Sequence, residues 1–545
     1  MQTTHMKTQN SNAIGGRWLC EAFGLQLINP LAVVSQIGGR RHTNTDQGIR
    51  TESYQEGMRP ESTLRGHLVF HLKHEVAHLE LLSRLFERCD KTDIEAWVNA
   101  EPTSQYARRT GFLFEWFTGR RLEVGLTGGN YVDALDGETV VVSASSEPVR
   151  RWMVRDNLPG TPLFCPTVRL TDKSTEAMAL DCSKLISDLK GEFGDDMLMR
   201  SAVWLSLRES KSSFQIEGEA DKGDRIQRFA EVLHQHTGRG EPPLNQQSLA
   251  MLQGAILGSS TSLERPGIRT SPVFVGETAR YQEVIHYVAP PFEDVPGMLE
   301  GLATYLKKTA SLSAVMRSAV AAFGFVYIHP LADGNGRVHR FLVNDVLRRD
   351  GAVQEPLIIP VSGLIAKDSH ERRAYDEVLD SFSKPLMSQV SGACKFESNK
   401  TKYDDGIVSN FVFSGNHDAR HAWRFMDLTK HVQFLSDVIE RTITQDMRAE
   451  SAYLRSHYAA RAAIKEVIEM PDSQVDRVLR SLEHGNGVLS NVLAKEIPAL
   501  QREGVWEDIK AAVQTAFAEP PATNAQGVKP GTQSEAAPVA RRRPR

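Results

Sequence analysis

Apolar positions recur at helical spacing through most of this chain and alternate at strand spacing only in short stretches. In the first 180 or so residues two helical patterns stand out, one from about Gly66 to Arg88 and one around Tyr106 to Phe117. They are interrupted by turn signals at Gly38-Gly39, Gly128-Gly129 and Asp136-Gly137. A valine cluster at Thr139 to Ala144 predicts a strand. From Asp195-Asp196, a pair suited to start a helix, the pattern is helical through Leu198, Val203, Leu205 and Leu207 towards Phe214. Further helices are predicted at Asp224–His236, Gln246–Ile256, Val295–Lys307, Ala314–Tyr327, Arg337–Arg349 and His370–Phe382. Ile268 to Val288 breaks this rhythm. It alternates apolar and polar residues around Gly276, which predicts a hairpin with its turn at that glycine, closed by Pro290-Pro291. After about Ser391 a polar stretch gives way to amphipathic helices at Leu428–Ile443 and Ala459–Ile468. Several charges between Asp446 and Arg455 are expected on a solvated face.

Composition narrows the class of protein. With 24% charged and 41% hydrophobic residues the chain reads as ordinary globular protein, and 545 residues allow about three domains at roughly 100–200 residues each. A net charge of −4 argues against a dedicated nucleic-acid binder, so nucleic acid is not an expected partner. The five cysteines are scattered without a CxxC pair, which suggests a reducing compartment. No apolar run spans a membrane, and Met1 to Ser11 lacks a secretory apolar segment; the expectation is a cytoplasmic protein. The last 27 residues, from Glu519, are rich in Pro, Ala, Gly and Gln, end in Arg541-Arg542-Arg543-Pro544-Arg545, and are expected to be disordered.

The segment with the most chemistry is His329-Pro330-Leu331-Ala332-Asp333-Gly334-Asn335-Gly336-Arg337-Val338-His339-Arg340, a loop between two apolar helical patterns. His329 is a candidate general base. Asp333 is a hard oxygen ligand suited to Mg²⁺. Gly334, Asn335 and Gly336 let backbone N–H groups approach a phosphate at a helix start. Arg337 and Arg340, three residues apart, can address one polyphosphate.

This segment resembles the Fic family signature HxFx(D/E)GNGRxxR at seven polar or glycine positions. Such a match should arise by chance on the order of once per million chains of this length. The usual aromatic is Leu331 here, expected to pack under the loop. The resemblance implies a mainly α protein with a Fic-type helical core and a β-hairpin flap, plus a small α+β N-terminal region and a helical C-terminal region. The expected boundaries are 1–190, 191–390 for the Fic domain, 391–518, and a tail at 519–545. It further implies transfer of AMP from ATP to a Ser, Thr or Tyr hydroxyl of a protein, this chain among the candidate acceptors, with Mg²⁺ or Mn²⁺ held by Asp333. Homodimerisation and the reverse removal of AMP stay open, as does the base preference. Gly336 would leave room for the departing diphosphate, where kinase-like relatives in the family carry lysine. Thr270, Ser271, Pro272, Val273 and Phe274 resemble the family's target-binding flap, expected at about 268–288. Ser213-Phe214-Gln215-Ile216-Glu217-Gly218 resembles the inhibitory (S/T)xxxE(G/N) pattern at the end of a helix at about 195–218. It implies that Ser213, Glu217 and Gly218 form a restraint in which Glu217 pairs with Arg340.

Two other features compete. His74-Glu75-Val76-Ala77-His78 spells HExxH, which on a continuous helix would place both imidazoles on one face for zinc and make a metalloprotease the alternative function; no third-ligand signature follows it. Arg108-Arg109 and Arg120-Arg121 bracket the aromatic run Phe112, Phe114, Trp116 and Phe117, which reads more simply as core aromatics flanked by exposed arginines than as a base-stacking surface.

Overall fold

The computed structural model describes residues 12–518, except 47–48, 220–222, 259–260, 262, 280–281 and 486. The proposed tail at 519–545 and the start of the chain lie outside the described residues. Two compact units are present. One comprises residues up to Leu189 together with Leu198–Arg448; the other comprises Lys190–Met197 and the residues from Ala449 onward.

The first unit begins with β1 (Ala13–Ile14), α1 (Gly15–Phe23), β2 (Val33–Ile37), β3 (His42–Asp46) and β4 (Ile49–Tyr54), in a sheet of order β1-β2-β4-β3. Helices α2 (Leu64–His74), α3 (Leu79–Arg88), α4 (Lys91–Ala100) and α5 (Gln105–Thr118) follow. They enclose a core that contains Leu81, Leu85, Phe86, Leu113 and Phe114. Short strands β5 (Val132–Asp133), β6 (Glu147–Val149) and β7 (Val154–Asp156) form a second sheet.

Four expectations for this region are corrected. The predicted helix from Gly66 to Arg88 is two helices, because Glu75 leaves the helix to serve another one. Its Oε2 accepts from Gly16 N at 2.8 Å, at the start of α1, and from His71 Nδ1 at 2.7 Å. His78 sits outside α2 and caps α3 by accepting from Leu81 N, while His67 accepts from Gly15 N at 3.1 Å. His74 and His78 therefore do not share a helical face. Among the described residues no group of three His, Cys, Asp or Glu side chains could hold a metal, so the zinc-protease alternative fails on geometry. The valines at 140–142 form no strand: Val140 makes an isolated bridge to Arg169 and Val141 N donates to Val168 O. Phe112 and Phe114 are core as expected, but Arg108 and Arg109 are buried too. Arg108 Nη1 donates to Met153 O at 2.7 Å and Arg109 Nη2 to Ala134 O at 3.0 Å, so these cations close loop ends.

Beyond α6 (Asp172–Met178) and α7 (Cys182–Phe193), the centre of the first unit is helical. It contains most of α8 (Asp195–Ile216), α9 (Gly223–His236), α10 (Gln246–Leu257), the hairpin β8 (Phe274–Ala279) and β9 (Gln282–Val288), then α11 (Val295–Lys308), α12 (Ala314–Ile328), α13 (Asn335–Arg349), α14 (Val361–Ile365) and α15 (Ser369–Val390). Helix α12 is buried on nearly every side, as its apolar sequence demands, and packs along α13. Gly276 is not the turn of the hairpin. It lies inside β8 at a register irregularity, where a Cβ would stand 2.3 Å from Val284 O; only glycine allows that approach.

The polar stretch after Ser391 forms a second hairpin, β10 (Cys394–Lys402) with β11 (Val408–Phe413), which its sequence did not announce. Helices α16 (Asn416–Arg424) and α17 (Thr429–Arg441) lead into a π-helical turn at Thr442–Met447. Asp446, expected to be solvated, is 6% exposed and pairs with Arg208 at 2.5 Å. The second unit holds most of α18 (Arg448–Val467), with α19 (Asp472–His484), α20 (Asn491–Glu496) and α21 (Val505–Ala518) around Ile464, Val475, Leu479 and Ile509. All five cysteines are free, and among the described residues no helix is long and apolar enough to cross a membrane.

Glu80 illustrates how the N-terminal region is held. Fully buried, it accepts from Ile28 N, Asn29 N, Asn29 Nδ2 and Arg84 Nε at 2.7–2.9 Å. Glu80→Ala leaves Arg84 without its ion-pair partner and should lower the unfolding free energy by about 3–5 kcal/mol. Urea unfolding of the full chain measures this, and an unchanged midpoint would remove the role given to Glu80.

Candidate active site

His329 follows the last residue of α12 and takes a left-handed backbone conformation, φ 51° and ψ 57°. Such a conformation is uncommon for a residue with a side chain and is concentrated at functional sites. It turns the chain sharply from α12 into the loop. The imidazole Nδ1 lies 3.0 Å from Val326 O; because a carbonyl only accepts, Nδ1 carries the proton and Nε2 keeps its lone pair. Burial pushes the imidazole down to about 4, so it is neutral at physiological pH. Nε2 is thus a proton acceptor already in its basic form.

The loop is tied down on several sides. Asn335 closes it on itself: Leu331 N donates to Asn335 Oδ1 at 3.0 Å, and Asn335 Nδ2 donates to Leu331 O at 2.7 Å. Leu331 is fully buried, as expected of the residue that replaces the usual aromatic. Gln253 Nε2 donates to Asp333 O at 2.7 Å. Gly334, at φ 93°, caps α13 without a side chain and leaves the first amides of that helix without intrahelical partners.

Arg269 opens the segment that resembles the flap, but the sequence assigns it no role of its own. It is 1% exposed, donates from its amide to Pro330 O at 2.8 Å, and from its guanidinium to His329 O, Ser271 O and Pro290 O at 2.5–2.9 Å. One buried cation thereby joins the His329 loop to both ends of the hairpin β8–β9, and burial lowers its pKa to about 10. Asp405, from the turn between β10 and β11, holds the next two residues: its Oδ2 accepts from Thr270 N, Ser271 N and Ser271 Oγ at 2.7–3.0 Å. Val273 O accepts from Ala289 N, Pro272 has no amide proton, and Phe274 packs on Phe396 and Phe411 at 5.5 and 4.7 Å. All five flap residues named from sequence therefore lie at the root of the hairpin. Only long-range contacts reveal Arg269 and Asp405 as their anchors.

Across from the loop, the end of α8 brings the remaining predicted residues into the site. Arg340, 1% exposed, donates from Nε to Ser213 Oγ at 2.7 Å and pairs through Nη2 with Glu217 Oε1 at 2.5 Å. Gly218, at φ 73°, lets the chain leave the helix immediately after Glu217. The Glu217 side chain is 36% exposed. Burial raises its pKa, but Arg340, with Arg337 and His329 behind it, outweighs burial and holds the carboxyl below the usual range. A Cβ on Gly336 would stand 2.0 Å from Glu217 Oε1, so the carboxylate occupies the space which that glycine leaves empty. Arg337 packs over Phe214 at 5.0 Å, pairs with Asp333 Oδ1 at 3.0 Å, and lies 3.6 Å from Glu219. Among the described residues, Arg337 Nε and Nη1 find no hydrogen-bond acceptor.

His329, Gly336, Glu217, Val275, Tyr287 and Tyr375 all face one cavity of about 560 Å³, a size that suits a small-molecule ligand. A larger cleft of about 850 Å³, lined by Glu241, Gln246, Arg265 and Phe292 among others, includes none of the loop residues His329–Arg340. The smaller cavity is the one with chemistry in it.

Residues 243–347 match the Fic/DOC family. The chain carries a Fic domain. Over 107 residues it is 34% identical to the protein adenylyltransferase fic-1 of Caenorhabditis elegans, covering 19% of each chain. Over 111 residues it is 32% identical to the protein adenylyltransferase Fic of Drosophila willistoni, covering 20% of each. The chain thus spans about a fifth of the length of the curated relatives it matches. A Fic family protein from Desulfovibrio desulfuricans G20 aligns with a TM-score of 0.37 at 16% identity, over 62% of this chain and 96% of that one. The Fic domain as matched contains the β8–β9 hairpin, the His329 loop and all but the end of α13. Helix α8 with Glu217, and Asp405, lie outside it.

The state of His329 can be read directly. In nucleotide-free protein with ¹³C-labelled histidine, the His329 resonance, assigned by its loss in His329→Ala, should take up its proton near pH 4 and stay neutral across pH 5–8. A titration near 6.5 would contradict the burial described above.

Proposed function

We propose that this chain transfers AMP from ATP to a hydroxyl of a protein and that Glu217 restrains the reaction. One observation carries the reading: a neutral His329 with Nε2 free faces the same cavity as a void above Gly336, and the buried Arg340 is paired there with the carboxylate that fills that void.

In this reading ATP lays its polyphosphate along the start of α13. The unpartnered amides of that helix, and Nε and Nη1 of Arg337, which pairs with Glu219 through Nη1 at 3.6 Å without a hydrogen bond, meet phosphate oxygens. Arg340 exchanges Glu217 for the terminal phosphate. Nε2 of His329 takes the proton of the acceptor hydroxyl as its oxygen bonds to the α-phosphorus. The bond from that phosphorus to the bridging oxygen breaks, and pyrophosphate departs with the electron pair. Positioning and fixed charge supply most of the rate. Asp333 is the residue that would hold Mg²⁺ or Mn²⁺. A single half-exposed carboxylate fits an ion that takes its other ligands from phosphate and water, and bound there the ion would neutralise phosphate charge. The acceptor would lie along β8–β9 as an added strand. The amides of Thr270 and Ser271 are already given to Asp405, which leaves the strand from Phe274 onward for such pairing. Free cysteines fit a reducing compartment, and we place the reaction in the cytoplasm.

Glu217 opposes ATP in two ways, by neutralising Arg340 and by standing where phosphate would go. Glu217→Gly should raise incorporation of label from [α-³²P]ATP into protein by on the order of ten-fold or more, the change that about 1.4 kcal/mol of relieved competition gives. Adding His329→Ala to that variant should cut incorporation by about 10²–10⁴-fold. Label that survives loss of His329 would discard it as the base, and a folded Glu217→Gly protein no more active than its parent would end the inhibitory role.

A further inference from the structure

Glu217 can compete with phosphate only if the last turn of α8 is held at the right height and rotation. Glu209, Ser213 and Glu217 are spaced by four residues and so share one face of that helix. Ser213 and Glu217 meet Arg340. Glu209, two turns upstream, is fully buried and meets something else: its Oε2 accepts from Ser362 N at 2.7 Å and its Oε1 from Ser362 Oγ at 2.6 Å. Neither contact is with a cation, and burial pushes the carboxyl up to about 7. A buried acid bound only to a serine is costly to keep, yet it lies on the helix that presents Glu217.

The serine is fixed in turn by the helix that carries Arg340. Asn344, one turn beyond Arg340 on α13, donates from Nδ2 to Ile359 O at 3.0 Å and accepts from Ile359 N at 2.8 Å. From Ile359 the chain runs through Pro360 and Val361 to Ser362. The links close a ring: α8 to α13 through Ser213 and Arg340, α13 to the 359–362 segment through Asn344, and that segment back to α8 through Ser362 and Glu209. A second brace stands at the helix end, where Arg372 Nη1 donates to Ile216 O at 2.8 Å.

We propose that Glu209 and Ser362 form a latch that positions α8 so that Glu217 stays over Gly336, and that the strength of this latch sets how hard ATP must work to enter. The inference rests on Glu217 being inhibitory. The latch touches neither substrate nor reacting atoms and acts only through Glu217. Its signature is an effect on ATP binding that exists while Glu217 is present and vanishes without it.

Full-length protein is titrated calorimetrically with ATP and Mg²⁺ in two backgrounds, with Glu217 and with Glu217→Gly. Ser362→Ala removes one hydrogen bond without changing charge; Glu209→Gln keeps the shape and removes the charge. Each should tighten ATP binding by about five-fold in the Glu217 background, the factor that one ordinary hydrogen bond corresponds to, and leave the Glu217→Gly background unchanged. Ser362→Thr, which keeps the hydroxyl, should behave as the parent. Equal tightening in both backgrounds would make Glu209 a charge in the phosphate field and overturn the latch. So would no tightening by Ser362→Ala while Glu217→Gly alone does tighten binding. If Glu217→Gly itself gains nothing, the inhibitory reading fails and the latch fails with it.

Discussion

A guanidinium that is 1% exposed cannot stand alone, and Arg340 is the charge around which this site is arranged. Removing the partner of a buried ion leaves a penalty of several kcal/mol, far more than the pair contributes as a net gain. Arg340 therefore requires an anion at all times, and Glu217 is the ion-pair partner it has. The need explains why the end of α8, outside the matched Fic domain, brings Ser213 and Glu217 to Arg340. It also explains why the carboxyl of Glu217 is held below the usual range although burial works against it. In the proposed reaction the same requirement makes phosphate an acceptable substitute and an empty site unfavourable.

The state of His329, the proposed base, is set by backbone and burial rather than by neighbouring charges. Helix α12 is apolar on nearly all sides and cannot shift without exposing core. Its end is fixed, and the left-handed turn at His329 aims the ring into the cavity while Val326 O fixes the tautomer. Arg269 then holds the carbonyl of His329 from the flap side, and Asn335 holds the loop from the α13 side. Binding and catalytic groups thus ride on rigid elements, and the loop between them has little freedom left.

What the sequence made legible was local. The loop motif names His329, Asp333, Arg337 and Arg340 because their spacing is itself the chemistry, and the helices around them carry a strong 3.6-residue period. What it hid depends on partners far along the chain. HExxH reads as a zinc helix until Glu75 is seen to accept from Gly16, 59 residues away. Arg108 and Arg109 look solvated until the carbonyls of Met153 and Ala134 are brought to them. The β10–β11 hairpin escaped because β10 is exposed along nearly its whole length and so carries no alternation of apolar and polar residues. Asp405 and Arg269 share that logic: each is an unremarkable charged residue until the fold gives it amides or carbonyls to bind.

Gly336 ties these strands together. An ordinary side chain there would collide with Glu217 Oε1 at 2.0 Å and crowd Arg340 Nη2 at 3.0 Å. In the proposed reaction the missing side chain therefore serves the pairing of Glu217 with Arg340 as much as it would serve a leaving diphosphate. A lysine in its place would bring a competing cation into a space now shared by one guanidinium and one carboxylate, which would loosen the demand of Arg340 for Glu217. A side chain filling that void would push the Glu217 carboxylate away from its present place. In the proposed reaction, release would come from exchange of one anion for another at Arg340. The height at which α8 holds Glu217 becomes the quantity on which that exchange turns.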